Sequence, residues 1–206
     1  HQVASCRISD ECADVLHKSP VLKSLLGYGL KVGNTLYVCS EGGKLLRFRF
    51  DNLQPDTIPI PSPYYDHETK MEKLADGNIL LFMQGMHLAI LSPKTGKIKE
   101  MKVAGMPEYG NFDPAFAKLD SYGIVWLGTK RDGLYFIDMK RKSMRSAKVL
   151  NDTHIEGMVE DRNRQLWVTT MRDAFFVTSK SKVFMMNSLL SASQDRDDWQ
   201  FYNNSI

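Results

Sequence analysis

The stretch Asp120-Ser121-Tyr122-Gly123-Ile124-Val125-Trp126-Leu127-Gly128-Thr129-Lys130-Arg131-Asp132-Gly133-Leu134-Tyr135-Phe136-Ile137-Asp138 decides the fold, because it returns 41 residues on. The second copy is Asp161-Arg162-Asn163-Arg164-Gln165-Leu166-Trp167-Val168-Thr169-Thr170-Met171-Arg172-Asp173-Ala174-Phe175-Phe176-Val177. Both run through an acidic turn, Trp followed by an aliphatic, Thr-x-x-Asp and an aromatic-rich segment, in that order. Two plainer copies lie upstream. Leu74-Ala75-Asp76-Gly77-Asn78-Ile79-Leu80-Leu81-Phe82 leads into His87-Leu88-Ala89-Ile90-Leu91 and the turn Ser92-Pro93-Lys94-Thr95-Gly96. Before it, Gly33-Asn34-Thr35-Leu36-Tyr37-Val38-Cys39 leads into Glu41-Gly42-Gly43-Lys44-Leu45-Leu46-Arg47-Phe48. Aligning Leu36, Leu80 and Trp126 gives steps of 44 and 46, so a unit of 41–46 residues occurs four times.

Within each unit, short apolar runs rich in Val, Ile, Leu, Phe, Tyr and Trp alternate with Gly, Asn, Asp and Pro turns, which is strand patterning. No stretch of a dozen residues in the repeats keeps a helical period, so helical and leucine-rich arrays are excluded. In the third unit the strands are predicted near 114–119, 124–128, 134–138 and 144–150. Four short strands per unit of this length make a propeller blade. The expected fold class is therefore all-β, a β-propeller fragment. Its blades are expected at about 28–62, 68–106, 114–150 and 155–187. Residues 1–27 are an N-terminal segment, either a short helix from Cys12 to Leu26 or the remnant of a preceding blade. Residues 188–206 lead into a next blade. The start at His1 and the uncapped end at Ile206 suggest a piece of a longer polypeptide. Four units are near the lower limit for a closed propeller, so open blade edges and self-association of the piece are expected.

Composition narrows the class without naming a chemistry. Of 206 residues 43% are hydrophobic and 25% charged, ordinary values for a folded domain with a sizeable core. The formal charge of +3, from 27 basic and 24 acidic residues, is too balanced for a nucleic-acid binder. No apolar run approaches membrane-spanning length; the longest candidate, Ile79 to Met83, is strand-sized. Cys6, Cys12 and Cys39 show no metal-ligand spacing, although Cys6 and Cys12 could pair in an oxidising compartment. No phosphate-binding Gly loop, H-E-x-x-H or nucleophile elbow is present. His1, His17, His67, His87 and His154 show no ligand spacing either. We therefore expect no catalytic residue, metal or cofactor in this segment.

Several residues have structural roles that need no ligand. Trp126 and Trp167 are expected in the packing between blades. Asp120 and Asp161 are expected to cap the first hairpin of their units through side-chain to backbone bonds. Lys140-Arg141-Lys142, with Arg145 and Lys148, reads as a solvated turn.

The third and fourth units resemble the two-component regulator propeller repeat, whose pattern runs roughly I-x-x-I-x-E-D-x-x-G-x-L-W-I-G-T-x-x-G-L. The match is good from Asp120 to Asp138. In the fourth unit it holds at Glu160-Asp161 and Leu166-Trp167, whereas Arg164, Thr169 and Ala174 replace glycines. The first two units keep only the frame, so the resemblance covers about 30–180. It implies the periplasmic sensor region of a hybrid two-component histidine kinase of the kind that regulates carbohydrate use in polysaccharide-degrading gut bacteria. It further implies an oligosaccharide ligand, a parent that forms a homodimer and is anchored in the inner membrane, and no membrane or nucleic-acid contact in this segment. The kinase histidine, nucleotide site and receiver aspartate would lie outside these residues. The alternatives are a protein-interaction propeller, or a propeller lyase or glycosidase.

Propeller ligands meet loops at one face. Here these would be Pro61–His67, Met106–Asp113 and Asn151–His154, with the shorter Lys130–Asp132 and Met171–Asp173. Aromatic faces beside amides and carboxylates suit sugars. The candidate ligand-binding residues are Tyr64, Tyr65, Asp66, His67, Tyr109, Asn111, Asp113, Arg131, Arg172 and His154.

Overall fold

A computed structural model describes residues 28–40, 44–51, 55–66, 68–107, 112–146, 150, 152–171, 174–178 and 182–186, the last two stretches as backbone. Among them are sixteen strands in four antiparallel sheets, each sheet four strands in sequence order. No α-helix occurs among these residues; a 3-10 turn spans Gln84–Met86, and Leu150 is in 3-10 conformation too. The all-β expectation holds. Two compact units divide the chain, residues 1–67 and 68–206.

The first unit holds β1 (Gly29–Val32), β2 (Thr35–Ser40), β3 (Lys44–Arg49) and β4 (Pro55–Pro59). Val32 pairs with Thr35, which leaves the two-residue turn Gly33-Asn34. Gly33 has φ 59°, the left-handed first position that a II′ hairpin reserves for glycine. Val38, Leu46 and Phe48 cluster, with Leu36 packed against them.

The second unit holds three sheets. They are β5–β8 (Lys70–Lys73, Ile79–Met83, His87–Leu91, Ile98–Glu100), β9–β12 (Pro114–Leu119, Ile124–Thr129, Leu134–Asp138, Ser143–Ser146) and β13–β16 (Ile155–Glu160, Leu166–Thr170, Ala174–Thr178, Lys182–Met186). Each sheet's first strand lies beside the next sheet's first strand: β5 by β9, β9 by β13. The strand positions predicted for the third repeat match β9, β10 and β11 to within a residue; β12 runs Ser143–Ser146, one residue early at its start and short of the expected 150, where Leu150 is in 3-10 conformation.

Alternation along β10 explains the packing. Val125 and Leu127 face a core shared with Leu80, Phe82 and Leu88 of the preceding sheet. Trp126 faces the other way, into a core with Ile155, Leu166 and Val168 of the following sheet. It is 5% exposed, and its ring lies 5.3 Å from that of Phe136. Burying both faces of a strand is the sheet-stacking solution that a propeller repeats. At Gly128 a Cβ would stand 2.6 Å from Ile155 Cγ2, so β13 approaches as closely as it does only because that side chain is absent.

The acidic turns do what the sequence led us to expect. Asp120 Oδ1 accepts the backbone N–H of Tyr122 and of Ile124, both at 2.9 Å, and Oδ2 accepts Trp126 Nε1–H at 2.8 Å. Asp161 repeats the set with Asn163 (2.8 Å), Gln165 (2.9 Å) and Trp167 Nε1 (2.9 Å). The aspartate and the indole six residues later thus form one polar corner. The indole hydrogen bond, ahead of the backbone ones, holds the Asp161 carboxyl below the usual carboxylate range.

Candidate functional site

A cavity of about 400 Å³ opens in the second unit where three connections meet the ends of β11 and β12. Gly105, Pro107 and Phe112 come from the β8–β9 connection, Asp132 from the β10–β11 turn and Asp152 from the β12–β13 connection. Tyr135 of β11 and Ser146 of β12, which pair across the sheet, complete the wall.

Local hydrogen bonds fix the β8–β9 connection at both its ends. Gly85 N–H donates to Phe112 O at 3.0 Å and Lys130 N–H to Asp113 O at 2.9 Å. Residues 112–113 are thereby held by the second-to-third-strand turns of two successive sheets. Phe112 is 5% exposed and meets the Tyr135 ring edge-on, centroids 5.7 Å apart at 88°. Ala104 forms a parallel bridge to Ser143, with Ala104 N–H to Lys142 O at 3.0 Å and Met144 N–H to Ala104 O at 2.8 Å. The chain then passes so near β12 that a Cβ on Gly105 would sit 2.6 Å from Met144 O, and its φ of 78° also requires glycine.

The Thr-x-x-Asp motif shapes the β10–β11 turn. Thr129, fully buried, donates its hydroxyl to Gly133 O at 2.9 Å and accepts Asp132 N–H at 2.8 Å. That turn carries the Asp132 carboxylate into the cavity wall, where Oδ2 is buried and has no hydrogen-bond partner among the described residues. Burial raises the Asp132 carboxyl above its ordinary range, the nearby Asp152 and Asp113 raise it further, and Arg131 offsets part of the rise. Tyr135 is pushed up as well, by burial and then by the same Asp132 and Asp152, so its hydroxyl stays protonated. Beside the turn, Lys130 Nζ pairs with Glu68 at 2.6 Å.

The sequence candidates fall into three groups. Asp113, Arg131 and His154 belong to the three connections around the cavity; Asp113 Oδ1 lies 3.4 Å from Gln84 Nε2. Tyr64, Tyr65 and Asp66 belong to the first unit. There Tyr64 is 43% exposed, whereas Tyr65 is 6% exposed and donates its hydroxyl to Lys44 O at 2.9 Å. Burial raises the Tyr65 phenol far above its ordinary value. His67, Tyr109, Asn111 and Arg172 lie outside the described residues, as do Cys6 and Cys12. Asp132, Asp152, Tyr135 and Ser146 were not singled out as ligand contacts. Asp132 had a signal, being the last residue of a loop already expected at the ligand face.

Comparison with solved structures shows the class first: these sheets are blades of a β-propeller. Virginiamycin B lyase from Staphylococcus aureus, in its inactive form with quinupristin, superposes with TM-score 0.65 at 12% identity, over 78% of this chain and 55% of the lyase. Two extracellular domains from Bacteroides thetaiotaomicron, of proteins described as hybrid two-component systems, also match. One has TM-score 0.63 at 15% identity, over 86% of this chain and 23% of the other. The second has TM-score 0.54 at 15% identity, over 74% and 24%. The chain thus spans about half the length of the lyase and a quarter of those extracellular domains. At such identities the likeness is one of fold. No family model matches the chain, and no curated relative does.

Proposed function

We propose that this chain is a ligand-binding propeller segment from the extracytoplasmic sensor region of a hybrid two-component receptor, with an oligosaccharide or similar polar ligand seated at the cavity. The carrying observation is the cavity itself, about 400 Å³ with aromatic rings beside a buried carboxylate oxygen that has no donor among the described residues. That volume lies within the ~300–1,000 Å³ range of small-molecule sites. The repeat resemblance and the fold likeness to extracellular sensor domains support the receptor context. The parent receptor dimerises and holds its kinase elsewhere. A sensor needs two states of unequal affinity. Packed blades are stiff, so the switch lies in how propellers or protomers dock.

The test is a thermal-shift scan of the chain against plant, host and microbial oligosaccharides. A ligand at a hundredfold excess over its dissociation constant adds ~2.7 kcal/mol to stability. A hit lost on Tyr135→Ala supports the reading. A glycan consumed during the scan would make the segment an enzyme, and stabilisation only by a protein partner would make it a scaffold.

A further inference from the structure

The cavity's charge points to a narrower ligand class. Asp132 and Asp152 line it, Asp113 stands near enough to act on Asp132, and among the described residues Arg131 alone of the groups acting on Asp132 opposes them. A buried carboxylate oxygen without a donor is costly, and the cost is larger for a charged group than for a neutral one. A sugar hydroxyl would supply a donor but leave the repulsion in place. An ammonium group supplies up to three donors together with the opposite charge. Phe112 and Tyr135, set edge to face, add ring surface of the sort that attracts a cation. A metal ion is a poorer fit, since no group of three His, Cys, Asp or Glu able to hold one occurs among the described residues. A uronic acid would be repelled.

We propose that the cavity binds the protonated amine of an amino sugar, with Asp132 as the anchoring carboxylate. This rests on the cavity being the sensor's ligand site, and adds that the ligand is cationic. Asp132 enters the turn through its backbone N–H, so Asn is accommodated at that position. Asp132→Asn should then remove the repulsion, raise the melting temperature of the ligand-free chain and lose the ligand. A residue that merely held the turn would not move both quantities in that direction.

Calorimetric titration of the full chain with three tetrasaccharides tests this: a glucosamine oligomer, its N-acetylated counterpart and a galacturonate oligomer. The amine oligomer should bind at least about tenfold tighter than the N-acetylated one, the margin of one charged over one neutral hydrogen bond. Asp132→Asn should erase that margin, while Glu100→Gln, an exposed acid on β8, should leave it intact. Equal or tighter binding of the neutral or acidic oligomer would overturn the amine assignment and leave the oligosaccharide reading standing. A simple polyamine bound as tightly as the amino sugar, with the same dependence on Asp132, would keep the amine anchor and overturn the sugar. Amine binding unaffected by Asp132→Asn, or no binding of any oligomer, would overturn the proposal; silence across the wider glycan panel as well would overturn the reading beneath it.

Discussion

The second and third sheets build the same corner from opposite materials. Their backbones agree: Leu74 N–H donates to Asn78 O at 2.8 Å, as Asp120 N–H does to Ile124 O at 2.9 Å. The turn glycines agree too, Gly77 at φ 84° and Gly123 at φ 83°. Where the third sheet has the Asp120–Trp126 hydrogen bond, the second has Leu74 and Leu80 in one apolar cluster. Both residues change together. An indole N–H without its carboxylate, or a carboxylate facing a leucine, would leave a polar group poorly satisfied. The corner therefore behaves as a matched pair whose geometry is kept and whose chemistry is exchanged.

Removing the apolar version should cost most. Leu80, fully buried, should lose about 2–5 kcal/mol on change to Ala, read from urea unfolding. Next comes the interface between the third and fourth sheets. Gly128→Thr should cost about 1–3 kcal/mol through collision with Ile155. The reverse change in the fourth sheet, Thr169→Gly, should cost under about 1 kcal/mol. Thr169 is exposed and its partner on β13 is Gly157, so the room that the third sheet gives to Ile155 is not needed there. Equal costs at the two positions would break this contrast. Trp126→Phe, which deletes the indole N–H and keeps a ring, should cost about 1 kcal/mol. In a cycle with Asp120→Ala the two losses should overlap rather than add.

The acidic limb sharpens the same contrast at smaller scale. Because the Asp161 carboxyl is held below its ordinary value of 3.8, its contribution is present above that pH and is lost as pH falls through the folded-state value. Asp161→Asn should therefore flatten the decline of melting temperature below about pH 4. A limb of unchanged steepness would mean that the indole bond does not favour the charged form. The smallest effect concerns Arg164, which holds φ 61° where the other two turns have glycine, and whose guanidinium lies 5.7 Å from the Tyr122 ring. Arg164→Gly should be close to neutral, since backbone relief and the lost cation–π contact are each of order 1 kcal/mol. In a Tyr122→Ala background the same change should stabilise.

Legibility in the sequence followed the range of the interactions involved. Hairpin positions and caps were readable because the Asp-to-Trp bond spans six residues and turn glycines act locally. The site was harder because its parts meet only in space. Tyr135 and Ser146 sit in strands, where a half-buried polar residue looks like any other outward position. Asp132 looks like a turn residue until Asp152, twenty positions on, is found beside the same cavity. Tyr65 carried a sugar-site signature, yet its alternation with exposed Tyr64 turns it inward to Lys44 O.

The bridge between Ala104 and Ser143 bears on where this repeat can be cut. Counted by its sheet, the third blade begins at Pro114. Counted by its hydrogen bonds, it begins at Ala104, because the incoming connection there lies along β12 and occupies part of its outer edge, whereas Met101 N–H still donates to Leu88 O of the second sheet. Anyone grafting this blade into another propeller, or shuffling it as a module, should carry the ten residues before Pro114 with it. A duplication that started at Pro114 would leave that edge bare and discard one wall of the cavity.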